Sequence, residues 1–522
     1  MTRQLGAMVG GGLAVSASAF LAATTLFPSS AAPPARSCAG LASIKSANMR
    51  IDIAETVPAG RFSFDVNRPG TNPQSHEDLP QFCRIAATLT PTPASDIKIE
   101  LWLPETWNGK FQAVGNGQWA GSIAFGPMAR ALRAGYATAS TDTGHQAFST
   151  DGSWALDQPE KVIDYSWRSE HEMTIKSKEL ITAFYDQAPK RSYWNGCSTG
   201  GRQGLKEATL FPNEFDGLVI GAPANLRANR NAWQLQISQK IDRNRAGAVS
   251  LEEMRHVHAE VLKACDALDG VTDGLLENPR ACKFDPASLL CKGAETETCL
   301  TAPQVDVVRA FTAPGKLSNG ETYQPGLSWG SELAPYGNRV PGWASWMDTS
   351  QEPPPADNYM YMVYQDAKWS WRTFDVDKAL PLAIKANAVE TAYAKDLEAF
   401  LKRGKIIFFQ GWGDPSVAPE AIIQYYEQVA KMAPEAARLF MAPGMGHCSG
   451  GDGATDGFDL VGALDAWVER GETPDRVTAA KTTAGQVLRT RPLCPFPQVA
   501  RYDGSGSSDD AANFSCVAPP SR

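Results

Sequence analysis

The chain has 522 residues, 43% hydrophobic and 20% charged, with 14 Trp and 36 Pro. That length exceeds one minimal core and points to one large elaborated domain or to two. A net charge of −8 offers no basic patch for a phosphate backbone, which argues against nucleic-acid binding.

The N-terminus places one Arg before an apolar Ala/Gly/Leu-rich run ending in small residues at 29–32. This is the pattern of a secretory signal peptide over residues 1–32, cut after Ala31 or Ala32. An uncleaved anchor is the alternative, because Leu5 to Phe27 nearly spans a bilayer, but Gly, Ser and Thr dilute the run. No later stretch has the length and apolarity to cross a membrane. All ten cysteines follow the cut: Cys38, Cys83, Cys197, Cys265, Cys282, Cys291, Cys299, Cys448, Cys494 and Cys516. An even number in an exported chain, secreted or periplasmic, implies disulfides. Near neighbours (Cys265/Cys282, Cys291/Cys299, Cys494/Cys516) make short loops, although spacing alone does not fix the pairing.

From Ile97 the chain alternates strand and helix patterns. "IKIELWLP" alternates like a strand, "KFQAVGNG" reads as a strand entering a Gly loop, and "YATASTDTG" is another β-branched run. "IKSKELITAFYDQA" has helical spacing, "SYWNG" leads into "GCSTGGRQG", and "FDGLVIGAPA" is a buried strand. This rhythm predicts an α/β fold, a mostly parallel sheet with helices on both faces. It stops after Ala224. Residues 225–401 hold four cysteines, Pro-rich turns and an aromatic band from Trp329 through Trp343 and Tyr359 to Trp371. It resumes with "KIIFFQGWGD", "PEAIIQYYEQVAKM" and "ARLFMAPGMGHC". The expected organisation is therefore a core in two parts, 33–224 and 402–522, with an inserted lid over 225–401.

Gly196-Cys197-Ser198-Thr199-Gly200 has the GxSxG spacing of a nucleophile elbow, preceded by a strand pattern and followed by a helix pattern. A surface Gly-Ser turn is the alternative reading of five residues, and Cys197 competes with Ser198 as the nucleophile. In this fold an acid and then a histidine follow the serine in the chain. Of six histidines, His447 alone follows the last strand pattern, in a Gly-rich loop. His256 and His258 lie in a charged helical stretch and read as solvent-facing, while His145 could line the site. Asp414 ends the strand "KIIFFQGWGD", where it would hold the His447 tautomer. Cys197 and Cys448 flank Ser198 and His447, so if those side chains meet, a Cys197–Cys448 disulfide becomes feasible. An oxidising compartment then favours Ser198 as the nucleophile.

Cys197-Ser198, Asp414 and His447-Cys448, together with "WNGKFQAVGNGQWAGS", "CDALDGVTDGL" and "TRPLCPFPQVARYDGSG", resemble the tannase and feruloyl esterase family, which also contains mono(2-hydroxyethyl) terephthalate hydrolases. The resemblance runs from about Cys38 to the C-terminus. It implies an α/β-hydrolase core with an inserted lid and five disulfides: Cys38–Cys83, Cys197–Cys448, Cys265–Cys282, Cys291–Cys299 and Cys494–Cys516. It implies a structural calcium ion in the lid, held by the Asp266, Asp269 and Asp273 side chains and the Val271 and Leu275 carbonyls. Three carboxylates within eight residues of a Gly-containing loop offer the hard oxygens that calcium takes. It implies oxyanion donors at the backbone N–H groups of Thr199 and Gln118, the latter where the family usually has Gly. The terephthalate branch places Phe three residues after the acid, where this chain has Val417, and its lid arginine finds no counterpart between Trp343 and Trp371.

The expected function is thus a secreted serine carboxylester hydrolase of aromatic-acid esters, feruloyl esters first. Gallate esters and the terephthalate half-ester are the alternatives within the class. A calcium-dependent binding protein without catalysis and a secreted peptidase are the alternatives outside it. The substrate is a small aromatic ester, with the lid aromatics supplying a flat slot or simply packing the lid.

Overall fold

The computed structural model describes residues 36–64, 74–335 and 342–519; the signal-peptide segment and Tyr336 lie outside them. Nine strands form the central sheet: β1 (Met49–Val57), β2 (Phe82–Leu89), β3 (Ile97–Pro104), β4 (Lys110–Val114), β5 (Ala137–Thr141), β6 (Arg191–Cys197), β7 (Gly217–Gly221), β8 (Lys405–Gly411) and β9 (Ala437–Ala442). Their spatial order is β1-β2-β3-β5-β4-β6-β7-β8-β9. The first three pair antiparallel with one another and β3 pairs antiparallel with β5. From β5 to β9 every pairing is parallel.

The parallel strands are near-continuous apolar runs because both faces are covered. Successive residues serve opposite faces. Trp194, Leu218, Ile220, Ile406 and Phe408 pack beneath α2 (Ser169–Tyr185), α3 (Thr199–Leu210) and α8 (Pro419–Met432). Tyr193, Val219, Ile407 and Phe409 face Leu464 and Trp467 of α9 (Leu460–Arg470). Helix α1 (Phe125–Arg133) follows β4 in the chain.

Between β7 and β8 the chain leaves the sheet to build the lid. The lid helices are α4 (Arg227–Arg243), α5 (Leu251–Cys265), α6 (Ala302–Thr312) and α7 (Val376–Asn387), and the first three enclose an apolar centre of Trp233, Ile237, Met254, Val257, Phe311 and Trp343. A second cluster packs Tyr359, Trp371 and Phe374 between α4 and α7. The molecule is therefore an α/β-hydrolase core carrying a large lid. Trp343, Tyr359 and Trp371 are fully buried, so these aromatics of the band pack the lid's interior. His258, read as solvent-facing, is instead half-buried, with Nδ1 2.6 Å from the Glu332 carboxylate.

All ten cysteines are paired, in the five disulfides that the resemblance implied. Among the described residues no helix is long and apolar enough to cross a membrane.

Candidate active site

A parallel sheet brings the carboxyl ends of its strands to one edge, and the turns leaving β6, β8 and β9 meet there. Ser198 sits between β6 and α3 with φ 61° and ψ −123°. A non-Gly residue in that region costs about 1–3 kcal/mol, and the surroundings hold it: its N–H donates to the Gly221 carbonyl at 2.9 Å, and its carbonyl accepts from Ala224 at 3.0 Å. The elbow is compact enough that a Cβ on Gly196 would lie 2.4 Å from the Gly200 carbonyl oxygen. This is why the motif needs small residues around the serine.

Asp414 follows β8 and is completely buried. Its Oδ1 accepts from the N–H groups of Ser416 at 2.8 Å and Val417 at 2.9 Å. Its Oδ2 accepts from Gln410 Nε2 at 3.0 Å and lies 2.7 Å from His447 Nδ1. With the carboxylate fixed by three donors, the imidazole Nδ1 carries a proton and Nε2 is left as a base. The histidine loop lies directly on the end of β8, where a Cβ on Gly411 would meet the Met445 carbonyl at 2.1 Å. The Cys197–Cys448 disulfide, with Cα atoms 6.0 Å apart, joins the residue before Ser198 to the residue after His447. Ser198, Asp414 and His447 thus converge at one edge of the sheet.

The second loop at this edge follows β4. Asn116 is clamped by Gln203 of α3: its N–H donates to Gln203 Oε1 at 3.0 Å, and Gln203 Nε2 donates to its Oδ1 at 3.1 Å. Gln118 has φ 52°, a left-handed conformation that explains the usual Gly at this position. Its carbonyl accepts from Thr199 Oγ1 at 2.6 Å and from Tyr165 Oη at 3.1 Å. Those two bonds anchor the Gln118 peptide against the first turn of α3, beside the Thr199 amide.

His145 lies behind this loop rather than in the cavity. Its Nε2 donates to the Trp119 carbonyl at 2.8 Å, and its ring stacks on Trp154 at 3.9 Å between centroids. Burial pushes its pKa down to about 4, so it is a neutral support.

Over Ser198 opens a cavity of about 470 Å³, lined by Gln118, Trp119 and Thr199 from the core and by Arg227, Gln234 and Trp346 among others from the lid. Trp119 and Trp346 supply flat apolar surface, of the kind that small-ligand sites use. Arg227 lies 4.3 Å over the Trp119 ring and pairs with the buried Glu390 at 2.9 Å. Val417 does not line this cavity; it faces a separate, smaller one with Ala418 and Tyr425. Tyr165, Gln203 and Gln410 belong to the site's support; Gln203 lies within the elbow stretch "GCSTGGRQG" but its role there was not read. Gln410 leaves a sequence signal of its own, as the one polar residue inside the apolar run of β8.

The acidic loop opens with the turn Asp266–Asp269 and reverses through Gly270 and Gly274, both at positive φ. Asp266 is buried and accepts from the N–H groups of Asp273 and Gly274, Asp269 accepts from Val271, and Asp273 accepts from Leu275. Arg491 contacts the other oxygen of Asp273. The three carboxylates and two carbonyls are all hard oxygens and fit calcium chemically.

The fold and this edge define an α/β-hydrolase of the esterase type. The sequence matches the family model described as tannase and feruloyl esterase over residues 83–517, and the chain belongs to that family of carboxylic ester hydrolases. It is 36% identical to an uncharacterized esterase of Xanthomonas campestris pv. campestris, over 92% of this chain and 91% of the relative. It is 35% identical to a mono(2-hydroxyethyl) terephthalate hydrolase of Piscinibacter sakaiensis, over 85% of this chain and 86% of the relative. The crystal structure of feruloyl esterase B from Aspergillus oryzae superposes with a TM-score of 0.84 at 31% identity, covering 92% of this chain and 99% of that one.

Proposed function

We propose that the protein is an exported serine esterase that hydrolyses esters of aromatic acids, feruloyl and related hydroxycinnamoyl esters first. The observation that carries this reading is the His447–Asp414 bond of 2.7 Å, tethered beside Ser198 by Cys197–Cys448.

Ser198 Oγ attacks the ester carbonyl while His447 Nε2 takes its proton. The tetrahedral oxyanion rests on the Thr199 and Gln118 amides, whose fixed position requires no reorganisation during the step. His447 then protonates the leaving alcohol. Water, activated by the same imidazole, hydrolyses the acyl-enzyme and regenerates Ser198. Asp414 stays ionised and stabilises the imidazolium. The aromatic acid lies against Trp119 and Trp346. Five disulfides support an oxidising compartment, in line with the signal-peptide pattern. Asp266, Asp269 and Asp273 with the Val271 and Leu275 carbonyls would hold calcium as a brace of the lid loop.

Ser198→Ala is expected to lower kcat on methyl ferulate by on the order of 10⁴-fold or more; hydrolysis at the wild-type rate would refute the mechanism. Comparing kcat/KM for methyl ferulate, methyl gallate and the terephthalate half-ester tests the substrate class. The reading expects ferulate to lead, and a preference for either alternative would reassign the substrate while leaving the chemistry in place.

A further inference from the structure

We propose that His171, Glu207 and Glu214 form a binding site for a divalent transition-metal cation of the zinc type, within the hydrolase core and apart from both the active site and the acidic loop of the lid.

His171 lies in the first turn of α2, Glu207 in the last turn of α3, and Glu214 in the loop that leads to β7. Glu207 is nine residues along the helix that begins beside Ser198, roughly 13 Å down its axis. His171 Nδ1 is 3.0 Å from Glu214 Oε1 and 3.9 Å from Glu207 Oε1. One ligand atom from each of the three lies within 4.8 Å of the others, and no other group of three His, Cys, Asp or Glu among the described residues is that close. Zinc takes nitrogen and oxygen ligands at about 2.0–2.1 Å in tetrahedral geometry, which sets ligand separations near 3.4 Å. The observed separations bracket that value.

The second observation is Glu207 itself. It is completely buried, no N–H or hydroxyl group donates to either of its carboxylate oxygens, and the side chain it meets is a second carboxylate, that of Glu214. A buried carboxylate left without donors is costly, and a cation between the three side chains removes that cost. Lys178, the lysine whose charge acts on Glu207, directs its Nζ to the main-chain carbonyl of Glu214 instead. Phe211 stacks on the His171 ring at 3.6 Å with 11° between planes, which fixes the imidazole's direction. The His171 and Glu214 side chains are 22% and 16% exposed, so an ion has a way in and solvent can supply the fourth ligand. An imidazole with two carboxylates favours a borderline cation over calcium.

The test uses the full disulfide-bonded protein, stripped by chelator and returned to calcium-saturated buffer so that the acidic loop does not compete. Titration with zinc chloride by calorimetry should give one saturable equivalent, and zinc should raise the wild-type melting temperature. Glu207→Gln and His171→Ala should each weaken binding by roughly tenfold or more and lose the thermal shift. His171 is partly exposed, so its variant keeps the test open if Glu207→Gln does not fold. No saturable zinc binding by the wild type below about 100 µM would overturn the proposal and leave an ion pair beside a protonated Glu207. Binding unchanged in either folded variant would overturn it as well. Neither result bears on ester hydrolysis.

Discussion

Gln118 shows how a single residue serves the proposed chemistry through its backbone alone. Its φ of 52° is a cost that glycine would avoid, yet the peptide is held by the Thr199 hydroxyl and Tyr165. Thr199→Val removes the shorter of those bonds while keeping the backbone donor. We expect kcat to fall about tenfold, short of the 10²–10³ of a lost oxyanion donor, with KM little changed; steady-state kinetics on methyl ferulate would show it. His145 supports the same loop from behind. Its folded pKa of about 4 lies below the unfolded value near 6.5, so the unfolded chain binds the extra proton. Its contribution is complete above pH 6.5 and is lost as pH falls toward 4, a swing of roughly 3 kcal/mol. His145→Gln keeps a donor for the Trp119 carbonyl and cannot titrate. The wild type should therefore lose melting temperature relative to this variant between pH 7 and pH 4. An equal difference at both pH values would contradict the assignment. Ser198, Asp414 and His447 could be picked out as candidates because each lies in a short recognisable stretch and their chain order is that of the fold, and the structure brings Asp414 and His447 into contact. Tyr165 and Gln203 were not legible, because their roles arise only when distant segments pack together.

At the scale of elements, the strand–helix rhythm from Ile97 onward was readable because parallel strands buried on both faces are apolar throughout. The two strands of the central sheet before it were missed, although β1 alternates through Met49, Ile51 and Ile53. Its partner β2 breaks the period with Ala86-Ala87-Thr88, and β1 itself shifts register between Ile51 and Ile53. The histidine loop depends on its covalent tether more than on secondary structure. Replacing both Cys197 and Cys448 by Ala should cost about 2–5 kcal/mol of stability and lower kcat by misaligning His447. Thermal melts and kinetics of the double variant, against a Cys291/Cys299 double variant as control, would separate these effects. The acidic loop gives a second element-level prediction. A chelator should lower the melting temperature by several degrees and calcium should restore it, in His171→Ala as in the wild type, so that the core cluster plays no part in the shift. No change on chelation would remove calcium from the account of this loop.

Taken as a whole, the molecule is one sheet interrupted by a lid, and beyond the pairing of β7 with β8 two further junctions tie its parts together. Buried Glu390, just after α7, pairs with Arg227 of α4 at 2.9 Å and lies 3.6 Å from Arg202 of α3, which locks the lid's root onto the helix behind Ser198. The lid's interior aromatics were read from composition as a band, but their division between packing and cavity lining required the fold. The second junction is Cys197–Cys448, whose partners are 251 residues apart. Every residue of the lid lies between them. The chain is therefore a closed covalent ring with two tails, and the lid is an arc of that ring. One protease cut anywhere in the arc opens the ring without releasing a piece, so the catalytic edge stays in a single covalent molecule until a reductant reaches Cys197–Cys448. In the oxidising compartment proposed above, where reductants are scarce, a nicked lid stays attached to the edge that carries Ser198.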